Sequence, residues 1–276
     1  MSTFDLGAEA VESALATKRF GRAYVPLREC PSTNDHVALL ARQGAPEGLV
    51  VSAETQSAGR GRLGRSWHSP AGQNLYVSIL LRPPCRSVEI PPLTLLVGGA
   101  LAQAVRQTGV NARLKWPNDL LVEEIGNGPA QAGAAEPRWR KVAGILTEAA
   151  TEGERVLHVV VGIGLNVNVE EFPADLVTKA TSLRRVTGRT FSRAHLLASL
   201  LASIEGAYDQ FLARGAKAAI DLWEGHAHLG QRCRAQGTHG EVEGVTAGVG
   251  AGGELLIRDA DGAIHKIVSG EVIPVD

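Results

Sequence analysis

One short run concentrates the reactive residue types of this chain: Glu54-Thr55-Gln56-Ser57-Ala58-Gly59-Arg60-Gly61-Arg62-Leu63-Gly64-Arg65-Ser66-Trp67-His68-Ser69-Pro70. It holds three glycines, three arginines and one tryptophan. Glycine raises the entropic cost of a helix or strand, so packing alone does not account for the run. Closely spaced guanidinium groups on a pliable backbone suit a phosphate or carboxylate that must be gripped and then released. The indole beside them can cover a flat ring.

Gly59-x-Gly61-x-x-Gly64 has the spacing of the dinucleotide fingerprint. That fingerprint needs a helix opening at the loop, with pyrophosphate at its N-terminus. Here Ser69-Pro70 and Gly72 follow, ahead of an apolar strand, so the context fails. The absence of a Gly-Lys-Ser/Thr sequence excludes a Walker loop. An RNA-binding Arg-Gly segment and a plain solvated basic loop remain as competing readings. Three further segments weigh against the solvated loop. Lys115-Trp116-Pro117-Asn118-Asp119 ends a strand with a cation, an amide and a carboxylate, although Asn-Asp after Pro is also ordinary turn chemistry. Lys141-Val142-Ala143-Gly144-Ile145-Leu146-Thr147-Glu148 heads an apolar strand with lysine, as a guarded edge strand also does. Gly162-Ile163-Gly164-Leu165-Asn166-Val167-Asn168 closes another strand with glycines and amides, where a bulge would use the same residues.

These segments need elements to carry them. Residues 5–18 read as a short amphipathic helix and 22–27 as a strand. Ser32-x-x-Asp35 resembles a capping box that opens a helix to Arg42, with Val37, Leu40 and Ala41 at helical spacing. Residues 49–53 form an apolar strand feeding the glycine run, and 74–81 alternate as a strand that Pro83-Pro84 stops. Pro91-Pro92 starts a helix through Val105. Short strands follow at 112–116, 120–123, 142–149 and 155–161. The glycine-, alanine- and proline-rich 126–137 reads as a hairpin tip. Ser192 caps a long helix to about Leu212, and a last helix covers 216–224. Beyond 226, short strands separated by glycines and by Asp261-Gly262 have the texture of a small all-β barrel. The expected boundary therefore divides 1–225 from 226–276. The loops of the first part are too short for repeated parallel crossovers, so hairpins should dominate it.

The bulk numbers narrow the classes. The chain has 276 residues, enough for one large domain with a small companion. A net charge of -1 disfavours a protein that coats nucleic acid. The three cysteines, Cys30, Cys85 and Cys233, lack metal or redox spacing, which fits a reducing cytoplasm. Residues 1–20 lack a signal-peptide core, and no apolar run is expected to span a membrane. The histidines show no metal-site spacing.

Ser32-Thr33-Asn34, the Gly59–Pro70 run, Lys115–Asp119, Lys141-x-Ala143-Gly144-Ile145-Leu146 and Gly162-x-Gly164-x-Asn166-Val167-Asn168 together resemble the biotin–protein ligases, in order and in approximate spacing. The resemblance covers about residues 30–276. It implies an α+β fold: a catalytic domain like those of class II aminoacyl-tRNA synthetases and biotin–lipoyl ligases, with a mixed sheet and flanking helices, plus a C-terminal SH3-like β-barrel. It implies a biotin–[biotin carboxyl carrier protein] ligase that uses ATP and Mg²⁺. Biotin would be activated as biotinyl-5′-AMP and passed to a lysine of a biotin carboxyl carrier protein.

By the same resemblance, Ser32, Thr33, Asn34, Gln56, Gly59, Arg60, Gly61, Arg62, Lys141 and Gly144 bind biotin. Arg62, Arg65, Trp67, Asn118, Lys141 and Asn166 bind ATP or the adenylate. Arg62, Lys115, Asp119 and Lys141 serve the chemistry, and Asp119 is also the candidate Mg²⁺ contact. A lipoate or octanoate ligase or transferase shares the fold, but the serine-glycine-glycine-glycine segment typical of lipoate ligases is absent. Some family members are also repressors with an N-terminal winged helix-turn-helix. Only 31 residues precede Ser32, too few for a three-helix reader, so no operator binding is expected. A homodimer through a sheet edge is compatible with the family.

Overall fold

The computed structural model describes residues 5–124, 138–237 and 240–275. The 126–137 segment read as a hairpin tip lies outside them. Seven strands build the main sheet: β1 (Tyr24–Cys30), β2 (Val50–Gln56), β3 (Leu75–Leu81), β4 (Ala112–Lys115), β5 (Asp119–Glu124), β6 (Arg138–Glu152) and β7 (Arg155–Leu165). Their order is β1-β2-β3-β7-β6-β5-β4. Only β1 and β2 pair in parallel; every other neighbouring pair is antiparallel. The sheet is therefore mixed and mostly hairpin-built, with a single parallel crossover.

That crossover carries α2 (Thr33–Arg42), which lies on β2, β3 and β7. The opposite face is covered by α3 (Pro91–Arg106), α5 (Arg193–Arg214) and α6 (Ala216–Glu224). All seven residues of β3 are buried, because β3 is central and covered on both faces. Leu75, Val77, Ile79 and Leu81 face the large core, while Leu80 packs with Val37, Ala41, Val51 and Val160 under α2. This period-2 division explains why β3 reads as a continuous apolar run. Two short helices complete the body, α1 (Ala8–Ala14) and α4 (Leu183–Thr187). Five residues leave no readable helical period, which is why α4 is invisible in the sequence.

Among the described residues Ser87–Arg106 is long enough, and over an 18-residue window with a mean hydropathy of 1.4 apolar enough, to cross a membrane by composition alone. Its side chains instead pack the core; Leu93, Leu96, Val97, Leu101 and Val105 are fully buried. A Cβ at Gly99 would meet Leu222 Cγ at 2.5 Å, so α3 and α6 approach as closely as they do only over glycine.

The expected capping box is corrected. Ser32 stands at the N-cap of α2, but its side chain makes no capping bond. Gln56 does that work: its Oε1 accepts from Thr33 N at 2.9 Å and from Thr33 Oγ1 at 3.1 Å. Asp35 turns to Arg60 instead. Ser192 caps α5 as expected, accepting from His195 N.

After Glu224 the chain becomes all-β. Residues 226–228 run beside β4, with Leu114 N donating to His226 O and His228 N to Leu114 O, both at 2.8 Å. A five-stranded antiparallel sheet follows: β8 (Arg232–Gly237), β9 (Gly240–Val249), β10 (Leu255–Arg258), β11 (Ile264–Ile267) and β12 (Val272–Pro274), in the order β11-β10-β9-β8-β12. Trp116 Nε1 donates to Gly253 O at 2.9 Å and so ties this sheet to the body beside Lys115.

A buried ion group locks the base of the glycine run to the helices. Arg193 is 5% exposed and reaches both oxygens of Glu54, at 2.7 and 3.0 Å, and Asp5 at 3.1 Å. Arg193→Ala leaves the largely buried Glu54 carboxylate without its partner. It is expected to cost about 3–5 kcal/mol of unfolding free energy, read from denaturant midpoints.

Candidate active site

The glycine run leaves β2 and folds as a tight hairpin. Trp67 N donates to Gly59 O at 2.9 Å and Gly61 N to Arg65 O at 2.6 Å. Arg62–Gly64 forms a single 3-10 turn at the tip. Leu63 there has φ 57°, an uncommon conformation for a side-chain-bearing residue, and is 70% exposed. The run is thus neither a long helix nor a strand, as its composition implies, but it is a defined flap.

Its three arginines have separate fates. Arg60 is clamped by two carboxylates: Asp35 at 2.6 and 2.8 Å, and Glu148 at 3.0 Å. Arg65 makes two hydrogen bonds to Glu271 of the C-terminal sheet, at 3.1 and 2.6 Å. Arg62 has no ion pair among the described residues and reaches Asn118 Oδ1 at 3.4 Å. Burial lowers its pKa, partly offset by Asp119, and an arginine lowered in this way still carries its charge.

Opposite the flap stands a neutral polar wall. Ser32, Thr33 and Asn34 are all buried at the start of α2. Ser78, wholly buried on β3, lies 2.7 Å from Thr33 Oγ1 and 2.6 Å from Asn34 Oδ1. A Cβ at Gly162 would stand 2.3 Å from Asn34 Oδ1, so this approach requires glycine there.

The third wall gathers charge. β4 and β5 pair Lys115 with Asp119 in register, and the turn between them is stitched to β6. Asn118 Nδ2 donates to Ile145 O at 2.8 Å, and Ile145 N to Asn118 O at 3.0 Å. Lys141 Nζ lies 2.6 Å from Asp119 Oδ1. Gly144 and Gly164 pair across β6 and β7 and form a bare floor. The Trp67 indole rests on it: a Cβ at Gly164 would stand 2.3 Å from Trp67 Cε2. Lys141 Nζ lies 5.3 Å from the centroid of that ring. Asn166 closes the floor, its Nδ2 donating to Thr181 O at 3.1 Å.

These walls enclose one cleft of about 850 Å³, large enough for two small ligands together. It is lined by Ser32, Thr33, Asn34, Gln56, Arg60, Gly61, Arg62, Arg65, Trp67, Lys115, Asn118, Asp119, Lys141, Gly144 and Asn166. Gly59 alone among the expected residues does not line it. A Cβ there would meet Gln56, Trp67 and Ser69 atoms at 3.0 Å, so its place is in shaping the flap.

A model of the biotin/lipoate A/B protein ligase family matches residues 27–166, and a model of the biotin protein ligase C-terminal domain matches residues 228–273. The chain belongs to the biotin protein ligase family. The bifunctional ligase/repressor BirA of Bacillus subtilis is 34% identical over 97% of this chain and 78% of its own length. The biotin–[acetyl-CoA-carboxylase] ligase of Mycobacterium tuberculosis is 30% identical over 88% of this chain and 85% of its own. Among solved structures, the biotin protein ligase of Aquifex aeolicus in complex with biotin and ATP superposes with a TM-score of 0.74. It is 30% identical, over 91% of this chain and 97% of that one. The ligase fold thus accounts for both sheets, and the C-terminal sheet is the SH3-like domain of the family.

Several residues of this ligase cleft lie outside any sequence motif. Lys179 lines it from a loop whose carbonyl accepts from Lys141 N at 3.0 Å. Trp139 and His228 add a ring pair with centroids 5.0 Å apart. Glu271 enters from the C-terminal sheet, its pKa lowered first by the hydrogen bond from Arg65. Exposed His68 also lines the cleft. Cys30 does not line it; burial pushes its thiol up to about 11, which makes it unreactive. Chemically, the cleft offers a neutral hydrogen-bonding wall, a bare floor under an indole, and a corner with Arg62, Lys115 and Lys141 around one carboxylate.

Proposed function

We propose that this ligase activates biotin with ATP and transfers it to a lysine of a biotin carboxyl carrier protein. The observation that carries the reading is the single cleft that joins a neutral polar wall to a corner of three cations. Biotin needs both: its ureido ring is polar but uncharged, and its carboxylate is an anion. In the first step a biotin carboxylate oxygen forms a bond to the α-phosphorus of ATP, and the bond to the pyrophosphate oxygen breaks. Two anions must meet, so fixed positive charge has to face the accumulating charge. Arg62, Lys141 and Lys115 take that role, with Asn118 and Asn166 holding the adenylate. Trp67 covers the adenine ring, and Ser32, Thr33, Asn34 and Gln56 orient the ureido ring.

In the second step the lysine amine bonds to the acyl carbon, and the bond to the AMP oxygen breaks. The attacking amine must lose a proton, and Asp119 is the cleft carboxylate that is not committed to an arginine. A mixed anhydride hydrolyses in water, so the flap encloses it until the carrier arrives. Arg60 and Arg65 anchor the two sides of that flap, through Asp35 and Glu148 and through Glu271. Mg²⁺ enters with the nucleotide. Among the described residues no three acidic, histidine or cysteine side chains could form a metal cage, and Asp119 is already paired with Lys141.

In this reading residues 1–225 are the catalytic unit and 226–276 its smaller companion. The enzyme works in the cytoplasm, where its three unpaired cysteines stay thiols. Residues 5–30 hold one seven-residue helix and a strand of the main sheet. Incubation with ATP and radiolabelled biotin or lipoate tests the acyl specificity. Biotin should yield acyl-adenylate and lipoate none; the reverse pattern refutes the assignment.

A further inference from the structure

Asn34 is held by more partners than a ligand-binding amide needs. Its Nδ2 donates to Glu148 Oε2 at 2.6 Å and to Leu146 O at 3.3 Å. Both protons of that nitrogen are therefore committed. Its Oδ1 takes the Ser78 hydroxyl at 2.6 Å and lies against Gly162, part of the cleft wall. A carbonyl oxygen has two lone pairs, so one acceptor position stays open toward the cleft. The amide has only one way to satisfy this environment. A carboxylate accepts and never donates, so the face toward Glu148 must be the NH₂ and the oxygen must face Ser78 and the cleft.

Glu148 itself lies outside the cleft lining. Its carboxylate also receives Arg60 Nη2 at 3.0 and 3.1 Å, but Arg60 is independently clamped by Asp35. The bond to Asn34 is thus Glu148's own contribution, the shorter and charged one of the two that hold that nitrogen, since Leu146 O stands at 3.3 Å.

We propose that Glu148 is a positioning residue for recognition of the ureido ring: it fixes Asn34 with its oxygen toward the cleft, where it accepts a ureido N–H. The proposal rests on the biotin reading above and adds to it the residue that sets the polarity of the recognising amide. Without Glu148 the amide can rotate and present its NH₂ to a ureido N–H, donor against donor. Hydrogen bonds to charged groups and their loss at buried sites have effects of tenfold or more in binding.

The test is steady-state formation of biotinyl-adenylate by the full chain and three variants, with thermal melting as a fold control. Glu148→Ala is expected to raise KM for biotin about tenfold or more. KM for ATP and kcat should stay within about threefold. Glu148→Gln keeps an acceptor for Asn34 and loses the charge facing Arg60; it is expected to restore KM for biotin to within about threefold of the parent. Asp35→Asn loosens Arg60 without touching Asn34, so its effect on that KM measures the contribution of the Arg60 clamp and should be clearly smaller than that of Glu148→Ala. The proposal is overturned if Glu148→Ala leaves KM for biotin unchanged, or if Glu148→Gln is as impaired as Glu148→Ala. An equal effect of Asp35→Asn would also overturn it, because the Arg60 clamp would then be the cause. A parent chain that forms no adenylate with biotin refutes the biotin reading itself, and the proposal with it.

Discussion

Arg62→Ala should release biotinyl-adenylate about 100-fold or more faster than the parent chain, with a melting temperature changed by only a few degrees. The asymmetry among the flap arginines is the reason. Arg60 and Arg65 already hold carboxylates, so their charge serves the flap. Arg62 lines the cleft, has no ion pair among the described residues, and donates one long hydrogen bond to the Asn118 amide. Burial works against its charge, which a bound carboxylate and phosphate would relieve. The side chain gains its strongest contacts only when an anion is present, so its loss falls on ligand retention and not on folding. The check is the dissociation rate of preformed adenylate, followed by rapid filtration. A rate equal to that of the parent would remove Arg62 from its role.

Lys141→Ala should lower kcat/KM for biotin activation about 1,000-fold. Its ammonium lies 2.6 Å from Asp119 and 3.2 Å from where a Cβ on Gly144 would stand, so it is folded over the floor of the cleft. Two effects add on its removal. In the proposed reaction a cation disappears from the place where carboxylate and phosphate meet, and Asp119 is left as an uncompensated anion facing them. The double variant Lys141→Ala/Asp119→Asn removes the second effect alone. It should recover part of the loss, and the difference measures the coupling of the pair. Single-turnover formation of adenylate gives both numbers. A loss under about tenfold in the single variant would contradict the electrostatic role.

Much of this arrangement is legible in the sequence because it is local. The flap composition, the Lys115–Asp119 turn and the Gly162–Asn168 strand exit each mark a place on an element, and the register of β6 and β7 brings them together. Ser192 caps its helix because the required donor is three residues away. What escapes the sequence is non-local. Ser32-x-x-Asp35 has the spacing of a capping box, yet Gln56, 23 residues away from Thr33, supplies the acceptor. Asp35 is drawn off by Arg60, 25 residues distant. Glu148 reaches Asn34 across 114 residues, and Glu271 reaches Arg65 across 206. No periodicity or local motif signals such pairs. The helix Pro91–Arg106 is legible from its prolines and apolar run, and its packing under the sheet shows that it is core.

The resting place of Trp67 also belongs to the three-dimensional structure. The sequence supports an indole that covers a ring, and equally a loop anchor. The structure puts it on the Gly144–Gly164 floor with its Nε1 buried and without a hydrogen-bond partner. A buried donor left unpaired costs about 1–3 kcal/mol. A ligand that offers it an acceptor would recover that cost, which couples ligand binding to the position of the flap.

In the proposed reaction one cleft both activates biotin and hands it to a protein lysine. The most direct measurement incubates the chain with ATP, biotin and a purified biotin carboxyl carrier domain, then maps the product by mass spectrometry. The expected result is one carrier lysine bearing a biotinyl group, with AMP and pyrophosphate formed in equal amounts. An unmodified carrier, or modification that proceeds without ATP, would contradict the account.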